Sequence, residues 1–332
     1  MSLQRDLGVA LQLLLPHQLL SRIVYYATRW TWRPWKRLLI GTLSRIYKID
    51  LSQALNPDPE SYPSFNAFFT RALKPDARPI ESNGATLVCP ADGAISQIGR
   101  IRDGRIVQAK GMDYTVAELL GGRDDDAAAF AGGGFATVYL SPRDYHRVHA
   151  PFAGRLVRAT HVPGRLFSVA PWTTESIPRL FARNERLALI FDTERGPLAV
   201  VLVGAIFVSS IETVFDGEVT PPYADQVRER DYSGTNAPRF DIGAELGRFN
   251  MGSTAIVLTA AGFGDWAPGL ADGTRVRMGQ SMQAACRARS PPHPRPAASI
   301  RLRILRGTAR ACPIRRYNRS QRRSPAAVRG HV

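Results

Sequence analysis

The sequence beyond residue 57 consists of short apolar runs that are interrupted by glycine, proline and aspartate. The longest run, PLAVVLVGAIFVSSIETV at 197–214, suits one bent strand or two successive buried strands, with Gly204 at the bend. The runs do not alternate with long helical patterns, as they would in a doubly wound sheet. The pattern therefore predicts an α+β fold with a mainly antiparallel β body.

A β-hairpin is predicted for residues 95–111. The runs ISQIGRI at 95–101 and RIVQAKG at 105–111 flank the dipeptide Asp103-Gly104. Aspartate followed by glycine is favoured in two-residue hairpin turns, because both positions need a positive φ. We therefore expect these two runs to pair with each other.

The first 54 residues have a different pattern. From Leu7 to Tyr47 the pattern is helical, with Pro16 and Pro34 suited to helix starts, and residues 1–54 have a net charge of +6. Two interpretations are open: helices packed on the protein's own core, or amphipathic helices in an anionic membrane interface. The residues that favour a membrane are the clustered tryptophans and cations Trp30, Trp32, Arg33, Trp35, Lys36 and Arg37.

The net charge of +16 is distributed unevenly. Residues 55–280 have a net charge of −3, whereas residues 281–332 contain 13 arginines and no acidic residue. Nucleic-acid-binding domains collect their cations on one folded surface. The distribution therefore argues against nucleic acid as a partner.

The tail at 283–332 differs from the body in composition. It is rich in Arg, Pro, Ala and Ser and has almost no apolar periodicity, so it cannot offset the entropy lost on folding. We expect this tail to be disordered. The abrupt change in composition also fits an altered reading frame.

Cysteines and long apolar runs are both scarce. Cys89, Cys286 and Cys312 have no short spacing of the kind found in metal or redox motifs, so we predict neither a metal site nor a disulfide framework. No run of about 18 apolar residues occurs, so no membrane-spanning helix is expected.

Two segments supply groups for acid–base chemistry. VCPADGAISQIG at 88–99 places Asp92 in a turn before a strand. YLSPRDYHRVHAPFAG at 139–154 carries His146 and His149 three residues apart. One histidine is usually structural, whereas two beside Arg, Asp and Tyr indicate a functional site more strongly.

A third segment, NMGST at 250–254, supplies a nucleophile. Ser253 follows Gly252 at the start of an apolar run. A serine hydroxyl becomes reactive when a histidine oriented by a carboxylate takes its proton. Asp92, His149 and Ser253 are the three required types, although a tight strand start at Gly252 would explain the same residues.

Segments across residues 1–281 resemble the bacterial, membrane-associated phosphatidylserine decarboxylases. The family's processing motif is Leu-Gly-Ser-Thr, and Met251 stands here in the leucine position, a swap of similar volume. The tail has no counterpart in this resemblance. The segments that carry it include SYPSFNAFFTRALKPDARPI, VCPADGAISQIG, QAKGMDYTVAELL, TVYLSPRDYHRVHAPFAGRL, HVPGRLFSV, LFARNERLALIFDTERGP and GRFNMGSTAIVL.

The resemblance implies a proenzyme that cuts itself between Gly252 and Ser253. By this resemblance Asp92 orients His149, which deprotonates Ser253, and the serine oxygen attacks the Gly252 carbonyl to form an ester. β-Elimination then separates a β chain of residues 1–252 from an α chain that begins at residue 253. The first residue of the α chain becomes a pyruvoyl group.

The resemblance also implies the reaction and its residues. The pyruvoyl group binds the amine of phosphatidylserine as a Schiff base and accepts electrons as CO2 leaves, which gives phosphatidylethanolamine without a metal. His146 is the expected proton donor. Phe167 and Val169, in the segment 161–169, are expected at the substrate.

The implied organisation has three regions. Residues 1–54 hold the enzyme peripherally on the cytoplasmic side of the cell membrane, residues 55–282 form the catalytic domain, and residues 283–332 are the tail. The cleaved chains form a heterodimer, which could pair into a homodimer. Two alternatives stay open: a serine hydrolase acting on lipids through Asp92, His149 and Ser253, and an uncleaved lipid-binding relative.

Overall fold

The computed structural model describes residues 3–82, 86–221 and 223–284. These residues belong to one compact unit. The predicted disorder of the tail concerns residues 285–332, which lie outside the described residues. Gln283 still belongs to the body, because its side-chain oxygen accepts a hydrogen bond from the Leu87 N–H at 3.0 Å.

The prediction of amphipathic N-terminal helices is confirmed. Pro16 directly precedes the second helix and Pro34 lies in the first turn of the third, positions that need no intrahelical N–H donor. Within the described residues the helices are α1 (Leu3–Leu14), α2 (His17–Arg29), α3 (Arg33–Tyr47), α4 (Phe65–Phe69), α5 (Val116–Leu120), α6 (Asp124–Ala128), α7 (Pro171–Thr174) and α8 (Leu180–Arg183).

The rest of the chain is dominated by strands, and every pairing between named strands is antiparallel. The α+β prediction with a mainly antiparallel body is therefore confirmed. The strands are β1 (Gly93–Arg100), β2 (Arg105–Ala109), β3 (Met112–Thr115), β4 (Gly134–Leu140), β5 (Arg147–His149), β6 (Gly154–Val162), β7 (Arg186–Asp192), β8 (Leu198–Val203), β9 (Ser210–Thr213), β10 (Gly217–Thr220), β11 (Arg228–Asp231), β12 (Arg239–Phe240), β13 (Glu245–Asn250), β14 (Ser253–Thr259) and β15 (Arg275–Val276).

Three sheets organise these strands. The large sheet has the order β11-β6-β7-β8-β14-β4-β1-β15, with β12 also paired to β6. A four-stranded sheet has the order β10-β9-β13-β5, and β2 pairs with β3. Strands β8 and β14, at the centre of the large sheet, are buried along their whole length and contribute to the main hydrophobic core.

The run at 197–214 forms two successive strands, which is one of the two forms predicted for it. Strand β8 ends at Val203, before Gly204, and β9 begins at Ser210 in the four-stranded sheet. A methyl group on Gly204 would come within 3.2 Å of the Glu185 carbonyl oxygen. Close backbone packing therefore explains glycine at this corner.

The hairpin prediction is wrong in its pairing. Asp103 and Gly104 do form a tight turn with φ of 50° and 67°, closed by a bridge between Arg102 and Arg105. Strand β1, however, pairs with β4 on one edge and β15 on the other. On the second edge β15 covers only Gly93 and Ala94, and β2 pairs with β3.

A second, smaller core joins the N-terminal helices to the body. We call it the α3–α4 cluster: Ile40 of α3 packs with Tyr62, Phe65, Phe68 and Phe69, the last three from α4. Met251, which joins β13 to β14 through Gly252, packs against this cluster. The helical region therefore touches the chain directly beside the predicted cleavage position.

Candidate active site

Ser253 is the first residue of β14 and is fully buried. It lies opposite Leu140 at the end of β4, in the centre of the large sheet. Its Oγ has no hydrogen-bond partner among the described residues. A buried hydroxyl without a partner carries a desolvation penalty and leaves its oxygen free to react.

His146 lies beside Gly252. A methyl group built on Gly252 would be 3.8 Å from His146 Nε2 and 3.7 Å from the Leu140 carbonyl oxygen, so the site has room for one. The absence of a side chain at residue 252 is therefore not required by packing. The histidine atom among the nearest neighbours of this position is Nε2 of His146.

The surroundings of His146 keep it neutral. Its Nδ1 lies 2.8 Å from the Asp144 carbonyl oxygen, which can only accept, so Nδ1 carries the hydrogen. The Phe69 ring is 4.1 Å away between centroids, and burial lowers the pKa of His146 to about 3. Its Nε2 is buried without a partner among the described residues, so a free lone pair faces the site.

His149 is held at both nitrogens. Nδ1 lies 2.8 Å from the Gly243 carbonyl oxygen, and Nε2 lies 3.0 Å from the Tyr145 hydroxyl. Burial is the main cause that lowers the pKa of His149, while its bond to Gly243 acts in the opposite direction. His149 is therefore also a neutral base, with Tyr145 as the donor to its lone pair.

Asp92 is paired with Arg78 rather than with His149. Arg78 Nε donates to Asp92 Oδ1 at 2.8 Å, a second guanidinium nitrogen contacts Oδ2, and the Met278 N–H donates to Oδ1 at 2.9 Å. Asp92 nevertheless acts on the histidines through space, because its charge raises the pKa of both His146 and His149 against the larger effect of burial.

The residue before Gly252 has a strained backbone. Met251 has a φ of 101°, a conformation that side-chain-bearing residues rarely adopt. Its neighbour Asn250 is fixed, since the Asn250 carbonyl accepts bonds from both the N–H and the Oγ of Ser209 at 2.9 Å. Strain is therefore located one residue before the Gly252–Ser253 bond, where no sequence pattern indicated it.

The two predicted substrate residues have different environments. Val169 lines a cavity of about 600 Å³ together with Tyr139 and Lys110. Phe167 is fully buried and packs edge-on against His17, and its backbone bonds to the Asn184 side chain in both directions. Of these two residues, Val169 is the one that borders the cavity.

The predicted membrane residues also divide. Trp30 and Trp32 are each 54% exposed and their rings stack at 5.3 Å, while Arg33 and Arg37 are exposed. Lys36 does not fit the expectation, because it is 5% exposed and its Nζ donates to the Glu60 and Tyr62 carbonyl oxygens. Trp35 is half-buried, and its indole N–H donates to the Ala27 carbonyl at 2.8 Å.

Neither a single membrane-spanning helix nor a metal-binding cluster occurs among the described residues. No single helix among them is both long and apolar enough to cross a membrane; Leu7–Leu14 and His17–Arg29, bent by 78°, meet the criteria only as a pair. In the same part of the chain, no group of three His, Cys, Asp or Glu side chains has the arrangement of a metal centre.

A buried serine at a strained strand junction, with the neutral His146 beside the preceding glycine, defines an enzyme site built for serine chemistry. Comparison with known proteins names the family. A family model described as phosphatidylserine decarboxylase matches residues 65–284, and a second, described as PSD, matches residues 7–48. The chain belongs to the phosphatidylserine decarboxylase family.

Individual relatives agree with the family model. The phosphatidylserine decarboxylase proenzyme of Methylococcus capsulatus is 55% identical over 282 residues, 85% of this chain and 97% of that protein. The proenzyme of Alkalilimnicola ehrlichii is 57% identical over 253 residues, 76% of this chain and 88% of its own length. That of Pseudomonas paraeruginosa is 55% identical over 285 residues, 85% and 98% of the two chains.

Proposed function

We propose that this chain is a proenzyme that cleaves itself between Gly252 and Ser253 and then decarboxylates phosphatidylserine to phosphatidylethanolamine. The observation that carries the proposal is the buried, unpartnered Ser253 hydroxyl, which directly follows a strained Met251 and a glycine beside His146. Membership of the family and the proenzyme names of the relatives support the same activity.

Self-cleavage begins with proton transfer from Ser253. We assign the base to His149, whose Nε2 lone pair takes the proton once the Tyr145 hydroxyl releases it and whose pKa the charge of Asp92 raises. The Ser253 oxygen then attacks the Gly252 carbonyl carbon, and the Gly252–Ser253 amide becomes an ester as its C–N bond breaks. Release of the strain at Met251 favours this step.

Elimination completes the cut. Loss of the Ser253 α-proton expels the Gly252 carboxylate, and hydrolysis of the remaining enamine releases ammonia and leaves a ketone. The products are a β chain of residues 1–252 and an α chain from residue 253. Because β14 is hydrogen-bonded between β8 and β4, the α chain stays held by the β chain as a heterodimer.

The pyruvoyl group so formed supplies a carbonyl for the substrate amine and an electron sink for the bond that releases CO2. The buried Ser253 position fits such a group, because it excludes water from a reactive carbonyl. His146 Nε2 has a free lone pair with which to take a proton from the substrate ammonium and later return it to the substrate carbon. Val169 borders the 600 Å³ cavity and is the predicted substrate residue that can contact a ligand, whereas Phe167 is fully buried.

The N-terminal helices bring this site to the lipid. The exposed Trp30 and Trp32 and the cation Arg33 suit the headgroup layer of an anionic leaflet, on the cytoplasmic side of the cell membrane. Lys36 and Trp35 instead hold α3 in place through their carbonyl contacts. Further exposed apolar side chains on these helices are Leu7, Leu14, Ile23, Tyr26, Leu38 and Ile46.

The proposal is tested by the intact mass of the purified protein together with CO2 release from phosphatidylserine vesicles. We expect two fragments that meet between Gly252 and Ser253, the second lighter by the serine-to-pyruvoyl difference, and one uncut, inactive chain for Ser253→Ala. An uncut wild-type chain whose Ser253 reacts with an acylating probe would indicate the hydrolase instead. An uncut, unreactive chain that binds vesicles would indicate a lipid-binding relative.

The roles of the two histidines are separated by single variants. We expect His149→Ala to remain uncut. His146→Ala should still be cut but release no CO2. The assignment of the base is overturned if His146→Ala stays uncut while His149→Ala is processed. This outcome has to be tested because His146 lies beside Gly252.

Membrane attachment is tested by flotation with anionic vesicles. Trp30→Ala/Trp32→Ala should lower the bound fraction, and more so at high salt, which screens the remaining cations. Trp266→Phe is the matched control, since the Trp266 indole donates to the Gly99 carbonyl in the body. Equal flotation of the double variant and the control would contradict the proposed attachment.

A further inference from the structure

A positively charged cavity of about 480 Å³ lies beside the candidate site. Six cations and three carboxylates line it, which leaves a net charge of +3. Its size is within the range of small-molecule pockets, about 300–1,000 Å³. The cations are Lys48, Arg71, Arg78, Arg143, Arg275 and Arg277.

Arg71 is the feature that marks this cavity as a binding site. It is 4% exposed, yet its Nε and Nη1 are buried without a partner in the described part of the chain. Among the described residues its Nη2 donates one hydrogen bond, at 3.3 Å, to the Arg143 carbonyl oxygen, and the guanidinium lies 5.5 Å from the centre of the Phe68 ring. Buried guanidinium groups are normally paired, because an unpaired buried charge is costly.

The carboxylates of the cavity do not supply the missing partner. Asp92 is paired with Arg78, and Asp144 with Arg275. The third, Asp50, accepts bonds from the Ser52 N–H at 2.8 Å and the Ser52 hydroxyl at 2.9 Å.

Four cations therefore remain for a ligand. Among the described residues no carboxylate comes within ion-pair distance of any of them. These cations are Lys48, Arg71, Arg143 and Arg277. The unpaired positive charge of the cavity therefore suits an anionic ligand.

The wall of the cavity is shared with the candidate site. Tyr145 lines the cavity and donates to His149 Nε2, and Asp92 also lines it. In a serine phospholipid, the phosphate is separated from the reacting amine by only two carbons and an oxygen. An anion subsite beside the Tyr145–His149 pair therefore suits the phosphate of such a headgroup.

We propose that this cavity binds the phosphate group of a phospholipid headgroup, with Arg71 as its principal ligand. The planar guanidinium of Arg71 has two unpaired nitrogens, which suits two-point contact with phosphate oxygens. The exposed Arg143 and Arg277 add charge from the rim. That the phosphate belongs to a lipid rests on the proposed function; that the cavity takes a phosphate does not.

The test is calorimetric binding to the full Ser253→Ala chain, so that binding is measured without chemistry. The probes are glycerophosphoserine, a soluble headgroup, and inorganic phosphate. We expect glycerophosphoserine to bind, Arg71→Gln to weaken it by about tenfold or more, and Arg71→Lys to restore only part of the affinity. The exposed Arg102→Gln is the charge-matched control and should bind as the parent does.

A second variant covers the case in which Arg71→Gln does not fold. The double variant Arg143→Gln/Arg277→Gln changes exposed side chains only and should weaken glycerophosphoserine several-fold. The site is refuted if Arg71→Gln, or the double variant when Arg71→Gln is unfolded, binds glycerophosphoserine as tightly as the parent. Equal affinity for inorganic phosphate would overturn the lipid headgroup as the source of the anion.

Failure of the proposed function is detected by separate measurements. It appears as an uncut wild-type chain or as absent CO2 release, neither of which involves the calorimetric probes. A decarboxylating wild type with unaltered headgroup binding in the Arg71 and double variants would reject only the cavity.

Discussion

The Tyr145 hydroxyl lies 3.0 Å from His149 Nε2, on the opposite side of the ring from the bond that Nδ1 makes to the Gly243 carbonyl. Since a carbonyl only accepts, Nδ1 holds the imidazole hydrogen and Nε2 accepts from Tyr145. Burial raises the pKa of Tyr145 to about 12, so the phenol keeps its proton. Tyr145 thus orients a neutral His149 and controls its lone pair.

Tyr145→Phe should raise the pKa of His149. The lost bond stabilised the neutral imidazole, so its removal makes protonation easier. The acid limb of the pH profile of self-cleavage then moves to higher pH, measured on chains synthesised in a cell-free system. Tyr114→Phe, which also removes a buried phenol hydroxyl, is the control. Identical profiles for Tyr145→Phe and the wild type would contradict the assignment.

The uncut protein should lose stability on mild acidification. Burial lowers the pKa of both His146 and His149, so between pH 6.5 and 5 the unfolded chain binds protons that the folded chain does not. The stability that the two neutral histidines contribute is complete above the pKa that histidine has in the unfolded chain. It is lost as the pH falls towards the pKa in the folded chain, which is about 3 for His146.

The slope reaches at most about 1.4 kcal/mol per pH unit for each histidine. Urea unfolding of Ser253→Ala across this range measures it, and adding His146→Gln should reduce the slope. A free energy of unfolding that does not change between pH 6.5 and 5 would show that the histidines are not held neutral.

Met251→Gly should slow self-cleavage by about tenfold. Glycine adopts a φ of 101° without cost, so the strain next to the cut is removed before the reaction. Met251→Ala is the matched control, because it loses the same contacts with the α3–α4 cluster but keeps the Cβ. Processing time courses on gels distinguish the two variants. If glycine and alanine cut at the same rate, strain at this residue does not assist the reaction.

Asp92→Asn should lower the free energy of unfolding by about 3–5 kcal/mol, because it leaves the Arg78 charge unpaired in a buried site. The side chains of this pair are only 8% and 10% exposed. Asp113→Asn breaks the exposed pair with Arg105 and should change stability little. Denaturant unfolding in the Ser253→Ala background compares them, and similar losses for both variants would contradict a buried, stabilising pair.

Much of the fold could be predicted because it depends on local patterns. Pro16 and Pro34 mark helix starts, and Gly204 separates two buried strands, since these residues restrict the backbone wherever they occur. The partner of a strand is not local. Strand β2 was predicted to pair with β1, but it pairs with β3, while β1 pairs with β4 and, at Gly93 and Ala94, with β15.

The candidate site was likewise predicted in its residues but not in their contacts. Asp92, His146, His149 and Ser253 were recognised as chemistry-bearing residues from short motifs. Their contacts were not predicted: no motif pairs Arg78 with Asp92, Lys36 donates to buried carbonyl oxygens, and two nitrogens of Arg71 have no partner among the described residues. Such contacts depend on which side chains meet across the fold.

The sequence by itself determined the α+β class, the amphipathic N-terminal helices, the family and the Gly252–Ser253 junction, because period, turn chemistry and motif are properties of neighbouring residues. Only the tertiary structure decided that Met251 has a strained backbone and packs on the α3–α4 cluster, that Asp92 pairs with Arg78, and that cations from distant segments line one cavity. The physical reason is that burial and charge compensation are set by packing between segments far apart in the chain.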